Sequence, residues 1–253
     1  MAAAIKAKQP NTSVLGLDVD ASTLKHAETS GLFEVLSSGD YSVLSGCDIL
    51  VVCAPFPALE TCFQAIHDTI AQNTILTDVC GIKGPIRDMA KRLCPHHAFV
   101  GGHPMAGGVV GGFKNHRLDL FEKATVAICA EPHVEEAAKK VSALWKHLGA
   151  ELVSLAPEEH DHLVAATSHF PYVSSVLLQE YVQKHSEFEQ LIGPGFQRQT
   201  RYALFDPKVM ASIAGHNQFI PQVLRHFGES FLELAQRLEK NPNAFWEEIS
   251  QSS

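Results

Sequence analysis

A histidine, His103, lies in the loop Gly101-Gly102-His103-Pro104-Met105-Ala106-Gly107, directly after the apolar run Ala98-Phe99-Val100. Imidazole titrates near neutral pH, so a histidine at a strand end, in a loop that glycine keeps open to a ligand, suits proton exchange with a bound molecule. The bland alternative is a histidine that only fixes the loop beside Pro104. A second glycine-containing loop, Asp78-Val79-Cys80-Gly81-Ile82-Lys83-Gly84, also follows an apolar run. Arg201, after the Gly193-Pro194-Gly195 turn, carries a planar guanidinium fork suited to a carboxylate. Its alternative is a surface ion pair, worth roughly 0–1 kcal/mol.

These residues need elements to hold them. Residues 14–17, 48–53, 74–79, 98–102 and 125–129 read as strands, and helical stretches stand around 59–70 and 134–148. Strands alternating with helices predict a doubly wound parallel sheet, whose ligands bind beyond the carboxyl ends of the strands. Both glycine-containing loops lie at such ends. From Pro157 onward the strand signals stop. Residues 157–183 keep Leu163, Ala166, Phe170, Val173 and Leu177 on a helical period. Residues 217–240 do the same with Ile220, Leu224, Phe227, Phe231, Leu234 and Leu238. An all-helical unit with so much apolar face needs a partner surface, which predicts a homodimer. The expected division is 1–155 for the α/β domain and 156–253 for the helical one.

Composition narrows the class. With 253 residues, 45% of them hydrophobic, the chain can bury a sizeable core. A formal net charge of -8 disfavours nucleic acid as a partner, since it provides no basic surface to neutralise phosphates. No apolar run approaches the ~20 residues that cross a bilayer, and no signal peptide is evident, so neither membrane nor export is expected and the cytoplasm is. The six cysteines (Cys47, Cys53, Cys62, Cys80, Cys94, Cys129) lack C-x-x-C spacing and read as buried thiols in a reducing compartment. The fourteen histidines include the pairs His96-His97 and His160-x-His162. Neither pair shares a helical face with a carboxylate or thiol that would complete a tetrahedral site, so no metal is expected.

Three ordered islands carry a family resemblance. Thr77-Asp78-Val79-Cys80-Gly81-Ile82-Lys83-Gly84, Gly101-Gly102-His103-Pro104-Met105-Ala106-Gly107, and Glu159-His160-Asp161-His162-Leu163-Val164-Ala165-Ala166 running into Ser168-His169-Phe170-Pro171, with Thr200-Arg201 and Asp206-Pro207 beyond, resemble the prephenate/arogenate dehydrogenases. The resemblance implies a Rossmann-like domain followed by a helical dimerisation domain. It also implies NAD-dependent oxidative decarboxylation of prephenate or arogenate, in tyrosine biosynthesis. By that resemblance His103 takes the proton of the ring hydroxyl, Arg201 binds a substrate carboxylate, and His169, Tyr172 and Thr200 help bind the substrate. Cys53, Ala54, Pro55, Asp78, Cys80 and Gly81 would line the cofactor, although Cys80 is equally readable as a small buried thiol. Asp18, closing a strand, would hold the adenosine ribose hydroxyls and favour NAD over NADP. Asp20 and Ser22 crowd the same turn, so a helix cap competes for Asp18.

The chain also departs from the family. The G-x-G-x-x-G loop expected about 20 residues before Asp18 is absent from these 253 residues, and the chain opens on what resembles the interior of the helix that follows that loop. A late start or a shortened chain is the economical explanation, with a genuine loss of cofactor binding the alternative. Removing a central strand should expose the edges of its neighbours. Gly81 stands where many relatives carry a serine that positions the catalytic histidine. Val109, in a glycine-rich run, replaces a frequent Thr/Ser-Glu pair, and Tyr172 a frequent second histidine. Two readings compete with an active enzyme. One is a catalytically inactive, cofactor-free dimeric binding protein of the same fold; the other, a β-hydroxyacid dehydrogenase, lacks its expected helical-domain lysine.

Overall fold

A computed structural model describes residues 1–107, 112–243 and 246. Val109 lies outside them. Helix α1 (Ala2–Lys8) leads to strand β1 (Leu15–Leu17), helix α2 (Ala21–Ser30) and strand β2 (Val35–Ser37), which pairs in parallel with β1. Then come β3 (Ile49–Val52), α3 (Leu59–His67), β4 (Ile75–Asp78), α4 (Gly84–Leu93), β5 (Phe99–Pro104), β6 (Thr125–Ala130), α5 (Glu135–His147) and β7 (Glu151–Leu155). These five strands form a second sheet in the order β3-β4-β5-β6-β7.

The α/β class follows from the sequence, but the sheet is mixed. Strand β6 runs antiparallel to β5, with His103 opposite Ala127. A parallel return needs a crossover of a dozen or more residues, usually helical. The described part of the β5–β6 connection holds only a 3-10 turn, Phe113–Asn115. The two sheets are also separate, for β1 and β3 are not paired. The edges carry the mark of that gap. Leu15, Gly16, Leu17, Ile49, Leu50 and Val51 are only half-buried, whereas all four residues of β4 are buried.

Local chemistry explains the supports. Helix α5 opens with Glu135 and Glu136 and closes with Lys146 and His147, each charge suited to its end of the helix dipole. Its buried residues Ala137, Val141 and Trp145 recur every four positions, the spacing of one helical face. Trp145 is fully buried under the sheet, edge-on to Phe121 at 5.1 Å. Truncation to alanine would cost about 3–5 kcal/mol. The cysteines divide: Cys94 and Cys129 are buried, Cys47, Cys62 and Cys80 partly so, and Cys53 is exposed, so the expectation that all are buried fails at strand ends. All six are free thiols.

The helical half begins with α6 (Pro157–Val164), a π-helical turn (Ala165–His169) and α7 (Phe170–Gln183). Residues 157–183 are therefore not one regular α-helix. Pro171, with no N–H and a ring that crowds the preceding turn, cannot sit inside a regular helix, and the wide π turn precedes it. Helices α8 (Pro194–Gln199), α9 (Pro207–His216) and α10 (Ile220–Lys240) complete the chain's described fold. Phe170 of α7 stacks on Phe227 of α10 with ring centroids 4.1 Å apart. The far ends of these helices stay open. Leu177 is 56% exposed, Phe231 63% and Leu232 67%.

Candidate active site

Four buried ionic and polar side chains meet where β4 and β5 end. Asp78, last residue of β4, is fully buried, and its carboxylate takes the Lys83 ammonium as an ion pair. It also accepts the N–H groups of Cys80 at 3.0 Å and Gly102 at 3.1 Å. Lys83, 1% exposed, spends a second donor on the Gly102 carbonyl at 2.8 Å. Glycine is required where these groups pass. A Cβ on Gly102 would lie 2.7 Å from the Asp78 carbonyl oxygen, and one on Gly101 2.9 Å from the Lys83 stem.

The helical half reaches into the same corner through α6. The Asp161 carboxylate accepts the backbone N–H of Lys83 at 2.7 Å and of Gly84 at 2.8 Å, at the start of α4. It also contacts His160 Nδ1 at 2.8 Å. His160 Nε2 in turn lies 2.8 Å from His103 Nδ1, with the two rings edge-to-face. The other ring nitrogen of His103 faces Gly81, 3.6 Å from where a Cβ on that residue would stand. Burial, then the charges of Lys83, His160 and His169, drive the pKa of His103 well below its ordinary value. A half-buried imidazole kept neutral at neutral pH is a proton acceptor.

His103 opens onto a cleft of about 350 Å³, shared by Cys53, Gly81, Ala106, Ser168, Met210 and Ile213. Such a volume suits a small organic ligand. Its walls come from β3, the loop after β4, β5, the π turn and α9, so sheet and helices both build it.

The predicted site residues fare unevenly. His103, Cys53, Gly81 and His169 line the cleft. One ring nitrogen of His169 is engaged, however: Asn217 Nδ2 contacts its Nδ1 at 3.0 Å. Burial lowers its pKa. The Asp78 carboxylate is taken up by Lys83 and two N–H groups. Cys80 and Ala54 pack against the core beside β3 and β4, and Pro55 caps the following 3-10 turn. Tyr172 is buried away from the cleft lining, its phenol pKa raised by burial and by Asp206. The Thr200 hydroxyl donates to the Phe196 carbonyl inside its own helical turn, at 2.9 Å.

Asp18 and Arg201 keep their chemistry available. Asp20, not Asp18, caps α2 by accepting from Thr23 N–H at 2.7 Å. Among the described residues Asp18 accepts only the Asp20 N–H, at 2.9 Å. Arg201 is exposed and outside the cleft lining, its guanidinium over the Tyr202 ring at 4.6 Å. It donates to the Tyr202 hydroxyl at 2.6 Å, and among the described residues it pairs with no carboxylate.

Sequence reasoning missed His160, Asp161, Lys83 and Asn217 as members of the site. In the sequence His160 stands out as a possible metal ligand beside His162 and as part of the third motif, with no role of its own. The adjacent His-Asp pair was the available signal, but its target lies 57 residues away in the chain.

Comparison with known proteins decides the family. Residues 1–154 match the family model described as prephenate dehydrogenase, nucleotide-binding domain, and residues 156–250 the one described as prephenate dehydrogenase, dimerization domain. The chain belongs to the prephenate dehydrogenase family. Within the family, it is 27% identical over 242 residues to the prephenate dehydrogenase of Bacillus subtilis, covering 92% of this chain and 64% of that protein's length. It is 24% identical over 234 residues to the cyclohexadienyl dehydrogenase of Zymomonas mobilis, covering 89% of this chain and 80% of that one. The fold is similar to that of the A. aeolicus prephenate dehydrogenase solved with hydroxyphenyl propionate and NAD+, with a TM-score of 0.92, 20% identity, and coverage of 99% and 90% of the two chains. A second similar structure is the Synechocystis arogenate dehydrogenase, with a TM-score of 0.84, 21% identity, and coverage of 99% and 92%.

Proposed function

We propose that the chain oxidatively decarboxylates prephenate or arogenate with NAD, giving 4-hydroxyphenylpyruvate or tyrosine, within tyrosine biosynthesis. The observation that carries this reading is His103, a neutral imidazole at a strand end with one nitrogen engaged and the other turned into the cleft. Family membership supplies the substrate class, and the NAD+ held by the A. aeolicus relative supplies the cofactor.

The residues present suit that cofactor at two points. Asp18, at the end of β1, has a carboxylate oxygen without a hydrogen-bond partner among the described residues, as a ribose-binding acid requires. Gly81 and Cys53 leave a small-walled opening beside His103 for a planar ring. When bound, NAD accepts the hydride from the ring carbon that bears the hydroxyl. His103 takes the hydroxyl proton as that hydride leaves. Loss of carbon dioxide then places an electron pair on the same oxygen, and His103 returns the proton to the new phenol, so no net proton is exchanged. General base work of this kind contributes about 10²–10⁴-fold in rate.

Residues 1–155 would hold the cofactor and 156–253 the substrate carboxylates and a second copy of the chain. The exposed guanidinium of Arg201, with one nitrogen donating to the Tyr202 hydroxyl, supports the first of these roles for the helical part, and the exposed Leu177, Phe231 and Leu232 the second. The formal charge of -8 and six free cysteines support a cytoplasmic enzyme whose partners are neither nucleic acid nor membrane.

A second reading has its own observation. Strand β1 is not paired with β3, which favours a dimeric binding protein without cofactor or turnover. Isothermal titration of NAD, with NADH formation from prephenate and from arogenate, separates the two. Binding with turnover supports the enzyme, and neither binding nor turnover removes it in favour of the second reading.

A further inference from the structure

We propose that Asp161 and His160 are positioning residues that hold the ring proton of His103 on Nδ1 and so present Nε2 to the cleft as the base. This rests on His103 being the group that accepts the substrate proton.

The direction of the chain follows from its buried end. Asp161 is 4% exposed, and its carboxylate already accepts two backbone N–H groups from the first residues at the start of α4. A carboxylate acceptor facing His160 Nδ1 requires the proton on that nitrogen. The opposite nitrogen of neutral His160, Nε2, is then an acceptor, and the 2.8 Å contact needs its proton from His103 Nδ1. Which imidazole nitrogen carries the proton is set by the hydrogen bond the other one makes. His103 Nε2 is therefore left with its lone pair, and it is the nitrogen turned toward Gly81 and the cleft.

The anchoring reaches beyond the three side chains. Asn217 donates to the Asp161 carbonyl at 2.7 Å while contacting His169, which lines the cleft together with Gly81. His103 and this wall of its cleft are thus tied to one buried point. His160 itself is 1% exposed, so no solvent competes for its ring nitrogens. A loss of the relay leaves His103 free to carry its proton on Nε2. That places the lone pair against α6, where no substrate can reach it. In the serine protease triad a wrong imidazole tautomer lowers kcat by about 10⁴.

The test combines nitrogen-15 histidine NMR of the apoprotein with steady-state kinetics of His160→Leu and His160→Gln. Leucine removes the acceptor, whereas glutamine keeps an amide oxygen that can accept from His103 Nδ1. In the unaltered chain His103 should show a protonated Nδ1 and an unprotonated Nε2. His160→Leu should lose that pattern and lower kcat by about 10²-fold or more, while KM for substrate stays nearly unchanged. His160→Gln should recover much of the difference. A proton on His103 Nε2 in the unaltered chain overturns the proposal, as does equal kcat in the two variants. If His160→Leu fails to fold, the tautomer of the unaltered chain and kcat of His160→Gln still decide. A chain that shows the expected tautomer but turns over neither substrate refutes the enzymatic reading and leaves the relay standing.

Discussion

Replacing Lys83 by methionine probes stability and chemistry together. The Lys83 and Asp78 side chains are 1% and 0% exposed, so solvent cannot replace the missing cation. Asp78 would keep its hydrogen bonds from Cys80 and Gly102 but would hold an uncompensated buried charge. Breaking a buried pair from one side costs about 3–5 kcal/mol. In a chain of this size each kcal/mol moves Tm by roughly 2–4 °C, which makes a fall of about 6–20 °C. The double variant Asp78→Asn, Lys83→Met should recover most of it, because apolar or neutral replacement of a whole buried pair is often nearly neutral. Calorimetry of the three apoproteins measures this. The chemical effect has a definite sign. His103 accepts a proton only when neutral, so the rate falls as pH drops through its pKa, which burial and then the Lys83 charge hold below the ordinary value. Removing that cation lets the pKa rise, and the acidic limb of kcat should move to higher pH. A single variant within about 1 kcal/mol of the parent, or a limb that moves to lower pH, refutes the reasoning.

Other substitutions address the cleft and the helices. His103→Ala should lower turnover by about 10²-fold or more and leave NAD affinity nearly unchanged, measured by kinetics and calorimetric titration; surviving turnover assigns the base elsewhere. Gly81→Ser should fold normally, because its Cβ meets only ordinary contacts at 3.4–3.6 Å, and should raise kcat by adding a hydroxyl beside His103. A fall in kcat would show that the hydroxyl blocks the site. Arg201→Ala should raise KM for the dicarboxylate substrate with kcat preserved, and an unchanged KM excludes it from binding. Phe231→Glu, on the exposed part of α10, should shift the chain from dimer to monomer in light scattering; an unchanged mass moves the contact to another face.

The strand-helix alternation and the His103 loop were legible because both are local patterns. The apolar run 48–53 made β3 readable as a strand, though three of its four residues are only half-buried, and the glycine-flanked histidine at the end of β5 marked the ligand side. The short strand β2, three residues long, and the half-exposed β7 lack such runs and were not anticipated. The direction of β6 depends on what the preceding connection cannot form, which no residue of β6 itself records. The partners of Asp78 are hidden in the sequence for a related reason. A carboxylate at a strand end looks ligand-facing until the lysine five residues later folds back and consumes it. His160 escaped notice because its partner is set by the packing of α6 on the sheet.

The buried polar cluster argues for function on energetic grounds. Lys83, Asp78, His160, Asp161, His169 and Asn217 are all buried, and a well-packed apolar core of the same volume would often be as stable or more so. Their desolvation is offset only because every one of them is connected, from the ion pair to the Asp161 carboxylate and the Asn217 amide. Partial satisfaction would be worse than none, so the cluster constrains several elements at once: the β4–α4 turn, β5, α6, the π turn and the start of α10. Those are the elements whose relative placement decides where His103 Nε2 lies with respect to Gly81. The π turn belongs to the same logic. It carries Ser168 and His169 at the cleft while α7 continues beyond Pro171, a departure from regular helix that apolar packing alone would not require. The lone pair of one histidine is thus held by a network spanning both halves of the chain, and anything that loosens the seat of α6 on the sheet should reduce turnover before it unfolds the protein.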